Sequence, residues 1–347
     1  MQVALDQQEN KMKRALVTGG CGFIGSNLTK ELVKQGWLVD VVDNMLNGKL
    51  ELLEGVNMRV LPNASFLNHY CNTLKDNNVK RKSDQVLVIQ DDFAAEGVLK
   101  HIEDKSYDIV FHQAAIPRVS YSVDNPWVTT ETNISKTVKL FKACVDNVKK
   151  IIFASSSSIY GGSDNLPTKE TEPKNPKSPY AWQKSAIEDF SKVACGLYNI
   201  DIICLRYFNV FGPGQLGDSP YATAVSAWCN AIKNNLECRS DGDGTQSRDM
   251  SYIDNVVNAN ILAAVADKQF GGECYNIACG GRVSNNEILN YLKSKFSLKI
   301  KHAPWRTGDV MHSNADIKKA EKDFGYKPLV GFWEGMERTL KWWQIDK

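Results

Sequence analysis

The 347-residue chain has no apolar run near the ~18 residues that a membrane-spanning helix needs, so no membrane partner is expected. Neither sign of charge dominates. There are 42 Lys plus Arg against 40 Asp plus Glu, with no long block of either, so charge gives no case for nucleic acid or an anionic surface. The first stretch, Met1 to Arg14, is polar, carries Lys11, Lys13 and Arg14 and lacks an apolar segment; it is expected to be a frayed tail, not a secretion signal. The nine cysteines include no Cys-x-x-Cys pair, and the five histidines do not cluster with them. No metal site or disulfide framework is expected, and reduced thiols in a cytoplasmic protein are. Asn63-Ala-Ser and Asn133-Ile-Ser match glycosylation sequons, and without a secretory signal they read as chance. Disorder is excluded as well: 43% of residues are hydrophobic, and the length suits one large domain or two closely joined ones with a substantial core.

What is present is alternation. Short apolar runs at Ala15–Thr18, Leu38–Val42, Gln85–Gln90, Ile109–His112, Ile151–Ala154 and Ile202–Arg206 read as strands. Helical patterns fall between most of them: Phe23–Gln35, with Ile24, Leu28, Leu32 and Val33 on one face, then Thr132–Asn147 and Tyr180–Tyr198. Strands spaced by helices predict an α/β fold with a doubly wound parallel sheet. Residues 44–84 break the pattern and are expected to be a polar loop insertion with at most a short helix, although a loop of that length is unusual. Beyond Arg206 the chain turns Gly- and Pro-rich, which suggests a smaller second domain.

Gly19, Gly22 and Gly25 follow the first strand and open the first helix. Glycines there let the backbone turn tightly and approach a pyrophosphate, whose charge the helix N-terminus stabilises. Asp43 ends the second strand, where a carboxylate accepts hydrogen bonds from ribose hydroxyls and repels a 2′-phosphate; NAD is favoured over NADP. Asp92, after the third strand, is a candidate for the adenine amine. Tyr180 and Lys184 lie one helical turn apart and share a face. A nearby ammonium and a positive nicotinamide both favour phenolate, which would make Tyr180 a general base. Tyr-x-x-x-Lys is common in any helix. It gains specificity here by following a glycine loop and the serine-rich strand end Ser155-Ser-Ser-Ser-Ile-Tyr-Gly.

Taken together, TGGCGFIG, HQAA (112–115), SSSSIYG, SPYAWQK, RYFNVFGP (206–213), DGDGTQSRDMSYIDN (241–255) and WRTGDVMHSNAD (305–316) resemble the extended short-chain dehydrogenase/reductases that act on nucleotide sugars. The resemblance runs from about residue 14 to 343. It implies a Rossmann-type NAD domain over 14–205 with part of 255–280, a smaller α/β UDP-sugar domain mainly over 206–347, and a homodimer built on two helices per subunit. It implies Tyr180 as base, Lys184 as its ribose-binding helper and Ser156 as the assisting hydroxyl. The cofactor contacts implied are Gly19, Gly22, Phe23, Ile24, Gly25, Asp43, Asn44, Asp92, Phe93, Ala114, Ala115, Asn133, Tyr180, Lys184 and Tyr207. Those implied for the sugar nucleotide are Ser120, Ser122, Ser156, Ser157, Ser158, Asn209, Arg248, Arg306, Asp309 and Ser313. Asn209, Arg248 and Arg306 would hold the diphosphate, the arginines through forked donors, and Asp309 the uridine ribose.

Members of this family begin alike, by oxidising the sugar at C4. The 4,6-dehydratases then need an Asp and a Glu three and two residues before the Tyr of the Tyr-Gly pair, and the uronate decarboxylases need the Glu. Ser157 and Ser158 stand there and cannot do acid–base work near neutral pH. The simplest surviving chemistry is 4-epimerisation. Ser313, four residues after Asp309, is small, as in epimerases that accept N-acetylated sugars. UDP-GlcNAc/UDP-GalNAc is therefore expected, with UDP-Glc/UDP-Gal as a side activity. Two alternatives stay open: a UDP-glucuronate 4-epimerase, from the similarity of VSYSVDNP (119–126), and a non-catalytic dinucleotide sensor on the same fold.

Overall fold

Eight parallel strands form the central sheet of the computed structural model, which describes residues 12–76, 81–82, 84–163, 165–217, 223–305 and 310–345. In chain order they are β1 (Arg14–Thr18), β2 (Leu38–Val42), β3 (Met58–Leu61), β4 (Val86–Ile89), β5 (Ile109–His112), β6 (Lys150–Ser156), β7 (Ile202–Tyr207) and β8 (Cys274–Ile277). Their spatial order is β8-β7-β6-β5-β1-β2-β4-β3. The chain first builds outward from β1 through β2, then crosses to the other side at β5. That reversal opens a crevice beyond the carboxyl ends of β1 and β5, the usual ligand position in such sheets.

Most of the strands carry a continuous apolar run, such as Ala15–Val17, Val86–Ile89 and Ile151–Ala154, because both faces are covered. Their side chains alternate between two cores. Ala15, Val17, Ile152, Ala154, Ile203 and Leu205 pack with the first helix (Phe23–Lys34, through Leu28 and Leu32) and with the helix Ile253–Val265. Leu16, Ile151, Phe153, Ile202 and Cys204 face the opposite core, with Leu140 and Phe141 of the helix Thr137–Cys144 and with Ile187 of the helix Pro179–Leu197. This two-residue alternation fixes the register, and a slip by one would exchange the two cores.

The 44–84 segment differs from the expected loop. It holds a 3-10 turn (Leu50–Leu53), the edge strand β3 and a helix (Ser65–Asp76). β3 pairs in parallel with β4, from Met58 opposite Val86 to Leu61 opposite Ile89. Only Leu61 of the four is buried, so the strand lacks the apolar run that marks its neighbours. The segment's end is pinned by Arg81. It donates to Gln85 O (Nε, 2.9 Å) and Val39 O (Nη2, 2.6 Å) and pairs with the buried Asp40, which also accepts from Tyr107 OH at 2.9 Å. The expected helix Thr132–Asn147 starts as a π-helical turn, Glu131–Lys136, and stops at Cys144.

After β7 come short pairings: Val210–Phe211 with Ser251–Tyr252, Cys238–Asp241 with Ile300–Ala303, and Ser247–Arg248 with Val283–Ser284. The Ile253–Val265 helix and β8 then return to the sheet. Among the described residues no helix is long and apolar enough to cross a membrane.

Candidate active site

β1 ends in a turn closed by Gly19 N to Val42 O (2.8 Å) and Gly22 N to Gly19 O (3.0 Å). Gly19 has φ +69°, and a Cβ there would lie 2.8 Å from the Ala114 backbone; one on Gly25 would lie 2.2 Å from Gly19 O. These two positions therefore exclude any side chain, the first by conformation and contact, the second by contact alone. Gly22 caps the first helix without a side-chain bond. The amides of Phe23, Ile24 and Gly25 stay outside the intrahelical ladder, at the positive end of the helix dipole, as a pyrophosphate requires.

Asp43 is buried at the end of β2. Its Oδ2 accepts from Cys21 N at 3.0 Å and its Oδ1 from Met45 N at 2.9 Å. Burial pushes its carboxyl up, and the two amide bonds pull it back. It thus braces the glycine loop and sets a carboxylate across from the helix N-terminus. Anion-binding amides at one end and a carboxylate at the other fit a dinucleotide. Asn44 is exposed and folds back onto Leu46 N at 3.1 Å.

The other expected cofactor residues are mostly engaged in the scaffold. Asp92 accepts from Lys136 Nζ at 2.6 Å and Ala94 N at 2.9 Å, so its carboxylate is committed to an ion pair. Phe93 is buried edge-on against His112. Ala114 N donates to Thr18 Oγ1 at 3.2 Å, and Ala115 is half-buried beside it. Asn133, in the π turn, is buried. Its amide clamps Ile116 through both backbone groups (2.8 and 3.1 Å) and donates to Gln183 Oε1 at 2.8 Å. That burial also disposes of its sequon. Tyr207 OH donates within a pair formed with Asn260 Oδ1 (3.0 Å) and Gln113 Oε1 (3.2 Å).

Three expected catalytic side chains meet at the ends of β6 and the Pro179–Leu197 helix. Ser178 caps that helix, accepting from Ala181 N at 3.2 Å, and Pro179 sits at its first position, so Tyr180 enters on the first turn. Tyr180 is buried, with Ser156 near enough to its phenol to favour the phenolate. Lys184 is buried, donates to Ala154 O at 2.7 Å and has its Nζ 5.9 Å from the Tyr180 ring centre. Burial pushes the phenol up to about 12, with Ser156 drawing it back, and pushes the Lys184 ammonium down to about 7. Desolvation is the largest cause of both shifts.

Ser157 and Ser158 begin the 3-10 turn Ser157–Tyr160, where Ser158 Oγ donates to Ser156 Oγ at 2.9 Å. Ser120 is exposed on the neighbouring short helix, Val119–Asp124. Ser122, expected to touch the sugar, is fully buried instead: it donates to Val119 O (2.6 Å) and accepts from Tyr180 N (3.1 Å). It holds the start of the Tyr180 helix. Asn209 has φ +32° and donates through Nδ2 to Asp249 O (2.9 Å) and Ser313 Oγ (3.2 Å). Arg248 reaches Ser247 O and Met311 O through Nη1. Asn209, Arg248 and Ser313 therefore lie together. Arg306 and Asp309 lie outside the described residues.

One cluster was not anticipated. Glu188, one turn beyond Lys184, is fully buried. It accepts from Arg206 Nε (2.9 Å) and Nη2 (2.8 Å) and from Ser155 Oγ (2.6 Å). Arg206 Nη1 also donates to Tyr160 OH at 2.7 Å, and Tyr160 in turn to Asn276 at 2.7 Å. Against burial, which raises it, the guanidinium holds the Glu188 carboxyl below its ordinary range. The available signal was a charge at each of two apolar positions, Arg206 ending an apolar strand and Glu188 on the buried stripe of a helix.

Residues 15–278 match the NAD dependent epimerase/dehydratase family. The chain is 32% identical over 94% of its length to a putative UDP-glucose 4-epimerase of Methanocaldococcus jannaschii, of which 97% is covered. It is 33% identical over 94% of its length to a UDP-glucuronate 4-epimerase of Thermodesulfobacterium geofontis, of which 95% is covered. Among solved structures, the UDP-N-acetylglucosamine 4-epimerase from Methanobrevibacter ruminantium M1, in complex with UDP-N-acetylmuramic acid, superposes with a TM-score of 0.83. That match is at 35% identity and covers 96% of this chain and 99% of the other. With a glycine loop, a strand-end carboxylate and a Tyr–Lys helix in the places this fold uses, the chain belongs to the NAD dependent epimerase/dehydratase family and is an NAD-dependent enzyme.

Proposed function

We propose that this enzyme interconverts the C4 epimers of a UDP-sugar, with UDP-GlcNAc and UDP-GalNAc as its pair. The observation that carries this reading is the buried Tyr180 phenol beside Ser156 and Lys184, followed by Ser157 and Ser158. The cluster can move a proton at one hydroxyl and supplies no carboxylate for a second elimination or decarboxylation step. NAD, when bound, would supply a reversible hydride acceptor for C4. Tyr180, aided by Ser156, removes the O4 proton and restores it after the sugar has turned over about its diphosphate. Lys184 orients the ribose. Arg248 grips the diphosphate on the wall that it shares with Asn209 and Ser313, and the short-strand region after β7 forms the sugar-nucleotide lobe. This lets the sugar turn while the nucleotide stays fixed.

Ser313 supports the N-acetyl assignment by its size. Ser313→Tyr is expected to cut turnover of UDP-GlcNAc at least tenfold while sparing UDP-Glc, since overfilling a packed site costs ~1–3 kcal/mol. Unchanged UDP-GlcNAc turnover in that variant, measured by resolving the epimers, would contradict the assignment. The uronate reading rests on VSYSVDNP, in which Ser122 is buried and Ser120 exposed, and turnover of UDP-GlcA tests it.

Asp43 is assigned to the adenosine ribose. Asp43→Ala is expected to weaken NAD at least ~10-fold, within the range for a lost hydrogen bond to a charged group, and to narrow the preference over NADP. Equal affinity of the parent enzyme for both cofactors, by calorimetry, would contradict it. A homodimer through the helices around Trp127 and Trp182 is supported by their exposure, 78% and 51%. Trp127→Glu is expected to shift the mass by light scattering from dimer to monomer.

A further inference from the structure

The Asp249 side chain is fully buried beside the expected diphosphate residues, yet nothing above uses its charge. Its Oδ1 accepts from Cys279 N at 2.9 Å. Its Oδ2 accepts from Gly280 N (3.1 Å), Ala315 N (3.1 Å) and Asn314 Nδ2 (3.3 Å). One carboxylate therefore ties the turn after β8 to the 314–315 segment. The backbone of the same residue continues the tie. Its carbonyl accepts from Asn209 Nδ2 at 2.9 Å, and its amide lies 3.4 Å from Ser313 Oγ. Burial pushes the carboxyl up to about 6, which leaves it ionised at neutral pH, as four donors require.

We propose that Asp249 is a positioning residue for sugar-nucleotide binding. It gathers two remote segments and sets Asn209, Arg248 and Ser313 on one wall. The inference rests on the reading that this wall holds a UDP-sugar. Its reach is specific: Asp249 contacts neither the glycine loop nor Tyr180, Lys184 or Ser156, so it should govern nucleotide-sugar affinity and leave NAD retention alone.

An asparagine here keeps the volume but turns an NH₂ group toward backbone amides that need an acceptor. Asp249→Asn is expected to weaken UDP at least tenfold by calorimetry and to raise KM for the UDP-sugar by more than it lowers kcat. Co-purified NAD should match the parent's. A folded variant with parental UDP affinity and KM would overturn the proposal. Failure of the parent to bind UDP would overturn the UDP-sugar reading, a separate result. A measurement on the unmodified enzyme guards against a variant that does not fold. Amide exchange at Cys279, Gly280 and Ala315 should slow at least tenfold when UDP is added, because the ligand rests on the wall those amides hold. Exchange there that ignores UDP, in an enzyme that binds it, would also overturn the proposal.

Discussion

Tyr180→Phe should lose at least ~10²-fold in turnover, the low end for removal of a general base, while keeping its NAD. The substitution removes one oxygen and leaves the ring where it packs. The helix cap at Ser178, the Ser122 bond to the residue-180 amide and the Lys184 bond to Ala154 O do not depend on that oxygen. A structural explanation for lost activity is therefore weak, and NAD content after purification checks it. The loss follows from where the proton must go. The Tyr180 phenol lies beside Ser156, and the two serines that follow Ser156 do not titrate near neutral pH. Turnover close to the parent's would mean that another group takes the proton. Ser156→Ala, which leaves the phenol in place, should be milder.

The largest effect on stability is expected from Glu188→Ala. The pair with Arg206 is forked and almost completely dry, with side-chain exposures of 0% and 3%. Removing one partner strands a guanidinium in the interior, which typically costs ~3–5 kcal/mol. Ser155 and Lys174 lose a partner as well, through bonds of 2.6 and 3.2 Å. The midpoint of urea unfolding should fall with little change in slope. Replacing both residues with apolar ones of similar size should recover part of the loss, because the desolvation cost of the charges disappears with them. The sign of the pH dependence follows from the lowered Glu188 carboxyl. Its contribution is present above the ordinary glutamate range and fades as pH falls through the folded value. A midpoint that is unchanged in Glu188→Ala would show that the pair is not the tie between β6, β7 and the Tyr180 helix that its geometry implies.

Much of this was legible in the sequence where the physical signal is local. Six strands stand out because a parallel strand covered on both faces carries a continuous apolar run, as at Ala15–Val17 in β1 and Ile151–Ala154 in β6. The glycine loop and Asp43 show because they sit at strand ends, and Tyr180 and Lys184 because helical spacing puts them on one face. β3 was missed for the opposite reason: at the sheet edge only Leu61 is buried, so Met58-Arg59-Val60 carries no strand signature. Non-local partners were also hidden. Nothing near Glu188 in sequence announces Arg206, and nothing near Asp249 announces residues 279–280 and 314–315. Residue type alone likewise could not tell that Ser122 and Asn133 face the scaffold.

The central claim is reversible oxidation and reduction at C4 of a UDP-sugar, and it can be read from one labelled substrate. UDP-GlcNAc carrying deuterium at C4 should be converted by the purified enzyme, without added cofactor, to a mixture with UDP-GalNAc that still carries the label at C4. Retention is expected because the hydrogen that leaves C4 comes back to the same carbon without exchanging with water. Absence of the C4 epimer, or an epimer whose C4 deuterium has been replaced by solvent hydrogen, would contradict the claim.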